Sequence, residues 1–199
     1  MTSDQLHALL GEVAAGTVAV GEAARRLTGF PVALCKQDGA VVARLDTQRE
    51  LRHGFPEVIL AHGKRFSHLE AIVAQAVSRE GALLITRLTG KRIRRLQTRF
   101  PELLREPGTG CLYRSGQNVS EPYGLVGVLC AGTSDIAVAR EAALVARLMG
   151  ARVDTHFDAG VAGLHRLLSA GELLRSARVF VVVAGMEGAL PSVGRRSAG

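Results

Sequence analysis

Apolar and polar positions follow two rhythms along this chain, and the more regular one fills its second half. An almost wholly apolar run from Leu125 to Ala131 has the pattern of a strand buried on both faces of a parallel sheet. Gly132-Thr133-Ser134-Asp135 breaks that run and opens a helix in which Val138, Ala142, Val145 and Met149 recur on one face, with Arg140 and Arg147 on another. The pattern then predicts a strand over 152–157, a helix over 160–169, a further helical turn to Arg175 and a strand over 178–184. This is a βαβαβ series with right-handed crossovers. In such a sheet Gly132–Asp135, Asp158–His165 and Gly185–Ser192 follow the strands and share one edge, where ligands bind.

The first half is less even. Helical spacing runs over 3–15, through Leu6, Leu9, Leu10 and Val13, and over 20–28, through Ala23, Ala24 and Leu27. Gly29-Phe30-Pro31 stops the second helix. Val32–Leu34 and Ala40–Leu45, set apart by the turn residues Gln37-Asp38-Gly39, read as paired strands. A polar stretch leads to a strand over 58–61, then a helix over 67–80 with Leu69, Ile72, Val73, Ala76 and Val77 on one face, then a strand over 82–86. Strand and helix alternate, so this part is an α/β unit of its own. Residues 101–110 are expected to wind it down, and 115–122 to form the loop into the second. The expected domains are 1–120 and 121–199.

Composition narrows the partners. A net charge of +7 admits a nucleic-acid surface, and Lys91-Arg92-Ile93-Arg94-Arg95 with Arg99 is the densest basic run. Only 4% of residues are aromatic and none is Trp, so no stacking platform accompanies that run. It reads as a solvated helix face, and no nucleic-acid partner is expected. No apolar stretch approaches the ~18 residues of a membrane span, and no signal-peptide pattern opens the chain, so a cytoplasmic protein without a membrane partner is expected. Cys35, Cys111 and Cys130 show no CxxC spacing, and His62 and His68 find no third ligand. Reduced, mostly buried cysteines and no structural metal are expected.

The loop Gly132–Asp135 offers backbone N–H groups, hydroxyls and a positive helix end at one point, which suits a phosphate; the same Ser134 and Asp135 would also serve as a plain helix cap. His165 titrates in the range for proton transfer, and Arg166 has the fork geometry for a carboxylate or phosphate. The glycines of Gly185-Met186-Glu187-Gly188 let backbone approach a ligand, and Glu187 is a candidate base or magnesium ligand. Cys130, two residues before Gly132, reads as a buried strand residue.

These loops carry a resemblance. Ala131-Gly-Thr-Ser-Asp135, Asp158-Ala-Gly-Val-Ala-Gly-Leu-His-Arg-Leu-Leu168 and Val183-Ala-Gly-Met-Glu-Gly-Ala-Leu-Pro-Ser192 resemble motifs of the LarB family of nickel-pincer cofactor biosynthesis proteins. The C-terminal domain of that family is similar to PurE, the aminoimidazole ribonucleotide carboxylase. Asp46-x-x-Arg49-x-x-Arg52-x-Gly-Phe-Pro-Glu57, Gly63-Lys64 and Thr86-Arg87 resemble the family's own first domain. The resemblance implies a small N-terminal α/β domain followed by an incomplete PurE-like parallel sheet domain, flavodoxin-like and three-layered.

It also implies a reaction: carboxylation of the pyridinium ring of nicotinic acid adenine dinucleotide with CO2, and cleavage of its phosphoanhydride to give a dicarboxylated pyridine mononucleotide and AMP. A pyridinium ring is too electron-poor to attack CO2, so in the family a cysteine thiolate adds to it first and a base later removes the ring proton. Carried onto this sequence, His165 and Glu187 are the catalytic candidates. Gly132, Thr133, Ser134, Asp135, Gly160, Arg166, Gly185, Met186, Gly188, Ser192, Arg49 and Arg52 are the substrate-binding ones. Magnesium is the candidate ion, no tightly bound organic cofactor is implied, and the family's PurE-like domain forms homo-oligomers. After Ser192-Val193 the family continues with more sheet and its nucleophilic cysteine, whereas here Gly194-Arg-Arg-Ser-Ala-Gly199 follows. The expectation is a premature end or frameshift near Val193 and a chain without the nucleophile. Two other readings stand beside it: a non-catalytic nucleotide-binding fragment, and a PurE-like enzyme acting on aminoimidazole ribonucleotide.

Overall fold

The computed structural model describes residues 3–27, 32–46, 49, 57–116, 123–185 and 188–192. The chain divides into two compact units, one of residues 1–105 and 111–117 and one of residues 106–110 and 118–199.

In the first unit, helices α1 (Ser3–Ala14) and α2 (Val20–Arg26) precede a hairpin of β1 (Val32–Gln37) and β2 (Ala40–Asp46). Asp38 and Gly39 join the strands with φ of 49° and 80°, the left-handed pair that a two-residue hairpin turn requires. A parallel βαβ step follows: β3 (Val58–Leu60), α3 (Phe66–Val77) and β4 (Leu83–Thr86), then α4 (Gly90–Arg99). Leu69, Ile72 and Val73 of α3 are buried against this sheet, on the face that their spacing predicts.

Within and just after residues 101–110 the unit adds two strands that the pattern does not predict, β5 (Leu104–Arg105) and β6 (Leu112–Arg114), and the sheet order is β3-β4-β6-β5. β6 pairs antiparallel with β4, Leu84 opposite Tyr113. Strands of two and three residues are too short to show a period-two pattern, and the intervening Pro107-Gly108 turn reads as loop. Arg114 explains part of why the last strand is held there. Its guanidinium donates to Val77 O at 3.0 Å, Gly81 O at 3.1 Å and Arg79 O, satisfying carbonyls left over where α3 ends.

The second unit is α/β, with three parallel strands in the order β8-β7-β9. They are β7 (Tyr123–Cys130), β8 (Ala151–His156) and β9 (Val179–Val183), and α5 (Ile136–Leu148), α6 (Leu164–Leu168) and α7 (Gly171–Ser176) connect them. Side chains alternate across β7. Val128 and Cys130 pack with Ala139 and Ala143 of α5, while Leu129 packs with Leu167, Leu173 and Leu174 of α6 and α7. The three-layer arrangement expected of a PurE-like domain follows from that alternation.

One helix face is corrected. α5 buries Ala139, Ala143 and Leu144, whereas Val138 is 45% and Met149 53% exposed. Ala139 and Ala143 let the helix axis approach the sheet more closely than valine or methionine would, so the inward stripe runs through 139, 143 and 144 and not through Val138 and Met149.

Candidate functional site

The three loops after β7, β8 and β9 meet around a cavity of about 330 Å³. Ala131, Gly132, Ser134 and Asp135 come from the first loop, Gly160, Val161 and Ala162 from the second, and Ala184, Gly185, Ala189 and Leu190 from the third. Backbone bonds set the loops close. Ala131 N–H donates to Val183 O at 3.0 Å, and Ala159 N–H to Cys130 O at 2.9 Å. At Gly160 an added Cβ would stand 3.0 Å from Ala131 O, so glycine lets the second loop lie against the first without a shift of either.

The Gly132 loop is more closed than its sequence suggests. Gly132 N–H, expected to await a phosphate, donates to Asp135 Oδ2 at 3.2 Å, and Asp135 N–H returns to Gly132 O at 3.0 Å. The carboxylate thus occupies the donor nearest the strand end. Its negative charge opposes a bare phosphate, and the Ser134 hydroxyl beside it suits a ligand hydroxyl.

Asp158 has φ of 58° and holds Arg166 Nη1 at 2.6 Å, so Arg166 does not extend alone toward a ligand. The pair is about half exposed. His156 Nε2 lies 2.7 Å from Arg166 O and steadies the same turn. The Asp158 partnership was not drawn from the sequence, although an Asp directly before Ala-Gly is a turn signal.

Of the substrate-binding candidates, Gly132, Ser134, Asp135, Gly160 and Gly185 line the cavity. Thr133, His165 and Ser192 are exposed and outside its lining; Gly188, half-buried, also lies outside it, and its N–H closes a turn on Gly185 O at 3.1 Å. Arg49 is exposed and belongs to the first unit. Arg52, Met186 and Glu187 lie outside the described residues. The sequence reading missed the apolar walls, Ala131, Ala184, Ala189 and Leu190, which carry no chemical signal of their own.

All three cysteines are buried and none forms a disulfide. Burial pushes the Cys130 thiol up, partly offset by the Asp158 backbone N–H, and the charges of Asp135 and Asp158 push it further. Its Sγ lies 3.6 Å from Gly132 O. Burial, reinforced by the Glu57 charge, likewise raises Cys35. Neither is a thiolate near neutrality.

Residues 37–115 match the family model of the LarB/PurE-like N-terminal domain. This stretch of the chain is LarB/PurE-like. An uncharacterized protein of Methanocaldococcus jannaschii is 35% identical over 158 residues, 75% of this chain and 62% of that protein. The chain therefore spans less than two thirds of the length of this relative. Among the described residues, no helix is long and apolar enough to cross a membrane, and no group of three or more His, Cys, Asp or Glu could hold a metal ion.

Proposed function

We propose that this chain binds the substrate of a LarB-type reaction, in which the pyridinium ring of nicotinic acid adenine dinucleotide is carboxylated with CO2 and its phosphoanhydride is cleaved, on the route to a nickel-pincer cofactor. The observation that carries this reading is the cavity itself, which brings together the three loops bearing the LarB-like motifs at the carboxyl edge of a parallel sheet. A volume of about 330 Å³ is at the small end of ligand pockets, suited to one mononucleotide moiety of the dinucleotide. Ser134 and Asp135 would take the ribose hydroxyls. The Asp158–Arg166 pair would present a guanidinium to a carboxylate or phosphate at the same edge, and His165 and Glu187 are the proposed groups for moving the ring proton.

Magnesium, which the resemblance brings in, lacks a fitting ligand set among the described residues. Asp135 is engaged by Gly132 N–H and Asp158 by Arg166. No step is routed through it. The thiolate step is likewise assigned to none of Cys35, Cys111 and Cys130, each of which is buried. That burial favours a second reading for the chain taken alone, in which it binds nucleotide without turning it over. Assembly into homo-oligomers is proposed as for the family.

Calorimetric titration with nicotinic acid adenine dinucleotide, nicotinic acid mononucleotide and AMP tests the site. One of them is expected to bind with 1:1 stoichiometry and to lose about tenfold in affinity in Asp135→Asn, which removes a charged hydrogen-bond acceptor worth roughly 1.5–3 kcal/mol. No saturable binding of any of the three would sink the reading. Binding with no release of AMP, followed by mass spectrometry, would leave the second one.

A further inference from the structure

We propose a separate anion site in the first unit, at the carboxyl edge of β3 and β4, for a small molecule carrying a diphosphate group. The proposal does not depend on the reaction above.

The two parallel strands end level with each other, Leu60 opposite Thr86, and Ala61 N–H closes the pair on Thr86 O at 2.9 Å. Their outgoing segments, 61–65 and 87–99, therefore leave the sheet side by side. Together they hold eight Lys and Arg and no Asp or Glu. That exceeds the net charge of +7, so the rest of the chain is balanced to within one charge. The excess positive charge of this protein lies in these two segments.

The charges are not placed for the helix's own benefit. Within α4, Lys91 and Arg95 stand four residues apart, as do Arg95 and Arg99, and Lys91 and Arg94 stand three apart. Each like-charged pair opposes helix formation. Several of the cations have a structural task. Arg92 donates to Ala61 O at 2.9 Å and Lys64 O at 2.7 Å, fixing the first segment against the second helix. Arg95 lies 3.7 Å above the Phe66 ring, and Arg99 pairs with Glu70 at 3.5 Å. Lys91, Arg94 and Arg65 are exposed.

Two further features bias the same edge toward an anion. Both α3 and α4 begin there, with no side-chain cap at Arg65 or Thr89 and no acid in either first turn. Positive helix ends and free first-turn donors thus add to the cations, where an acidic residue would ordinarily stand. A compact cluster across two short segments fits a small di- or trianion. An extended nucleic acid would call for a longer basic track and for aromatic stacking surfaces.

The test titrates the intact chain with inorganic pyrophosphate, and with ADP, at low salt. One saturable site and a rise in Tm are expected with either probe. Equal affinities would assign the site to the diphosphate alone, and tighter ADP would extend it to the ester; both support the proposal. In Lys91→Gln/Arg94→Gln, pyrophosphate affinity is expected to fall about tenfold or more. The Tm in plain buffer is expected to rise, since repulsion is relieved, and to gain nothing more from pyrophosphate. That opposed response separates loss of a site from loss of folding. The proposal is overturned by non-saturable binding, by an unchanged affinity in the double variant, or by loss of the site in Ser134→Ala/Asp135→Asn. Duplex RNA or DNA binding more tightly than pyrophosphate, with a steep salt dependence, would also overturn it in favour of an extended surface.

Discussion

β4 of the first unit and β9 of the second are both short, apolar, parallel-paired strands, yet one is enclosed and the other is not. β4 has a neighbour on each side, β3 and β6, and all four of its residues are buried. Among the described residues β9 pairs with β7 alone; Val179 is 56% exposed and the remaining four residues are half-buried. The difference is set by topology and not by hydrophobicity, since Val179-Phe-Val-Val-Val183 is at least as apolar as Leu83-Leu-Ile-Thr86. A strand's contribution to stability depends on whether sheet and helices close over it.

The largest expected effect tests that directly. Leu84→Ala removes a fully buried side chain from the enclosed strand and should cost about 2–5 kcal/mol in urea unfolding. Val181→Ala in β9 should cost far less, about 1 kcal/mol, because that side chain is only half withdrawn from water. Equal costs would break the comparison and mean that a neighbouring chain covers β9 in solution.

Gly127 sharpens the comparison from inside the second unit. An added Cβ there would lie 2.6 Å from the Phe180 ring, so β7 and β9 are fitted to each other at this point. Gly127→Ala is expected to cost about 1–3 kcal/mol by overpacking, with Phe180→Leu restoring part of it in the double variant. If the single change is silent, β9 yields freely and is held more loosely than its pairing implies.

These particulars also mark what could be read before the fold was known. The paired strands around Asp38-Gly39, the α3 face and the βαβαβ series were legible because each rests on a period or a turn signal several residues long. β5 and β6 were not, since five residues interrupted by Pro107-Gly108 carry no period. The α5 stripe lies off the face predicted through Val138 and Met149, because close approach to the sheet selects Ala139 and Ala143, with Leu144 beside them. At the site, glycines and charged groups pointed to the loops, but the Gly132–Asp135 bond and the Asp158–Arg166 pair depend on backbone turns that a one-dimensional pattern does not contain.

The smallest effect concerns pH, and each unit carries one reporter. Cys35 in the first and Cys130 in the second both have thiols raised above the ordinary value, chiefly by burial. A group raised in the folded state keeps its proton there longer than in the unfolded chain, whose cysteines titrate near 8.5. Its contribution is therefore fully present below about pH 8.5 and declines as the pH climbs toward the folded value. Urea midpoints should hold steady from pH 7 to about 8 and fall between 8.5 and 10. Cys35→Ala and Cys130→Ala should each flatten that fall without changing its sign. The charges of Asp135 and Asp158 add to burial at Cys130, and the Asp158 backbone N–H acts the other way, so Asp135→Asn should lessen the Cys130 share and leave that of Cys35 untouched. A fall that persists unchanged in the double cysteine variant would assign the alkaline loss to other groups and remove Cys130 as a reporter on the loop that frames the cavity.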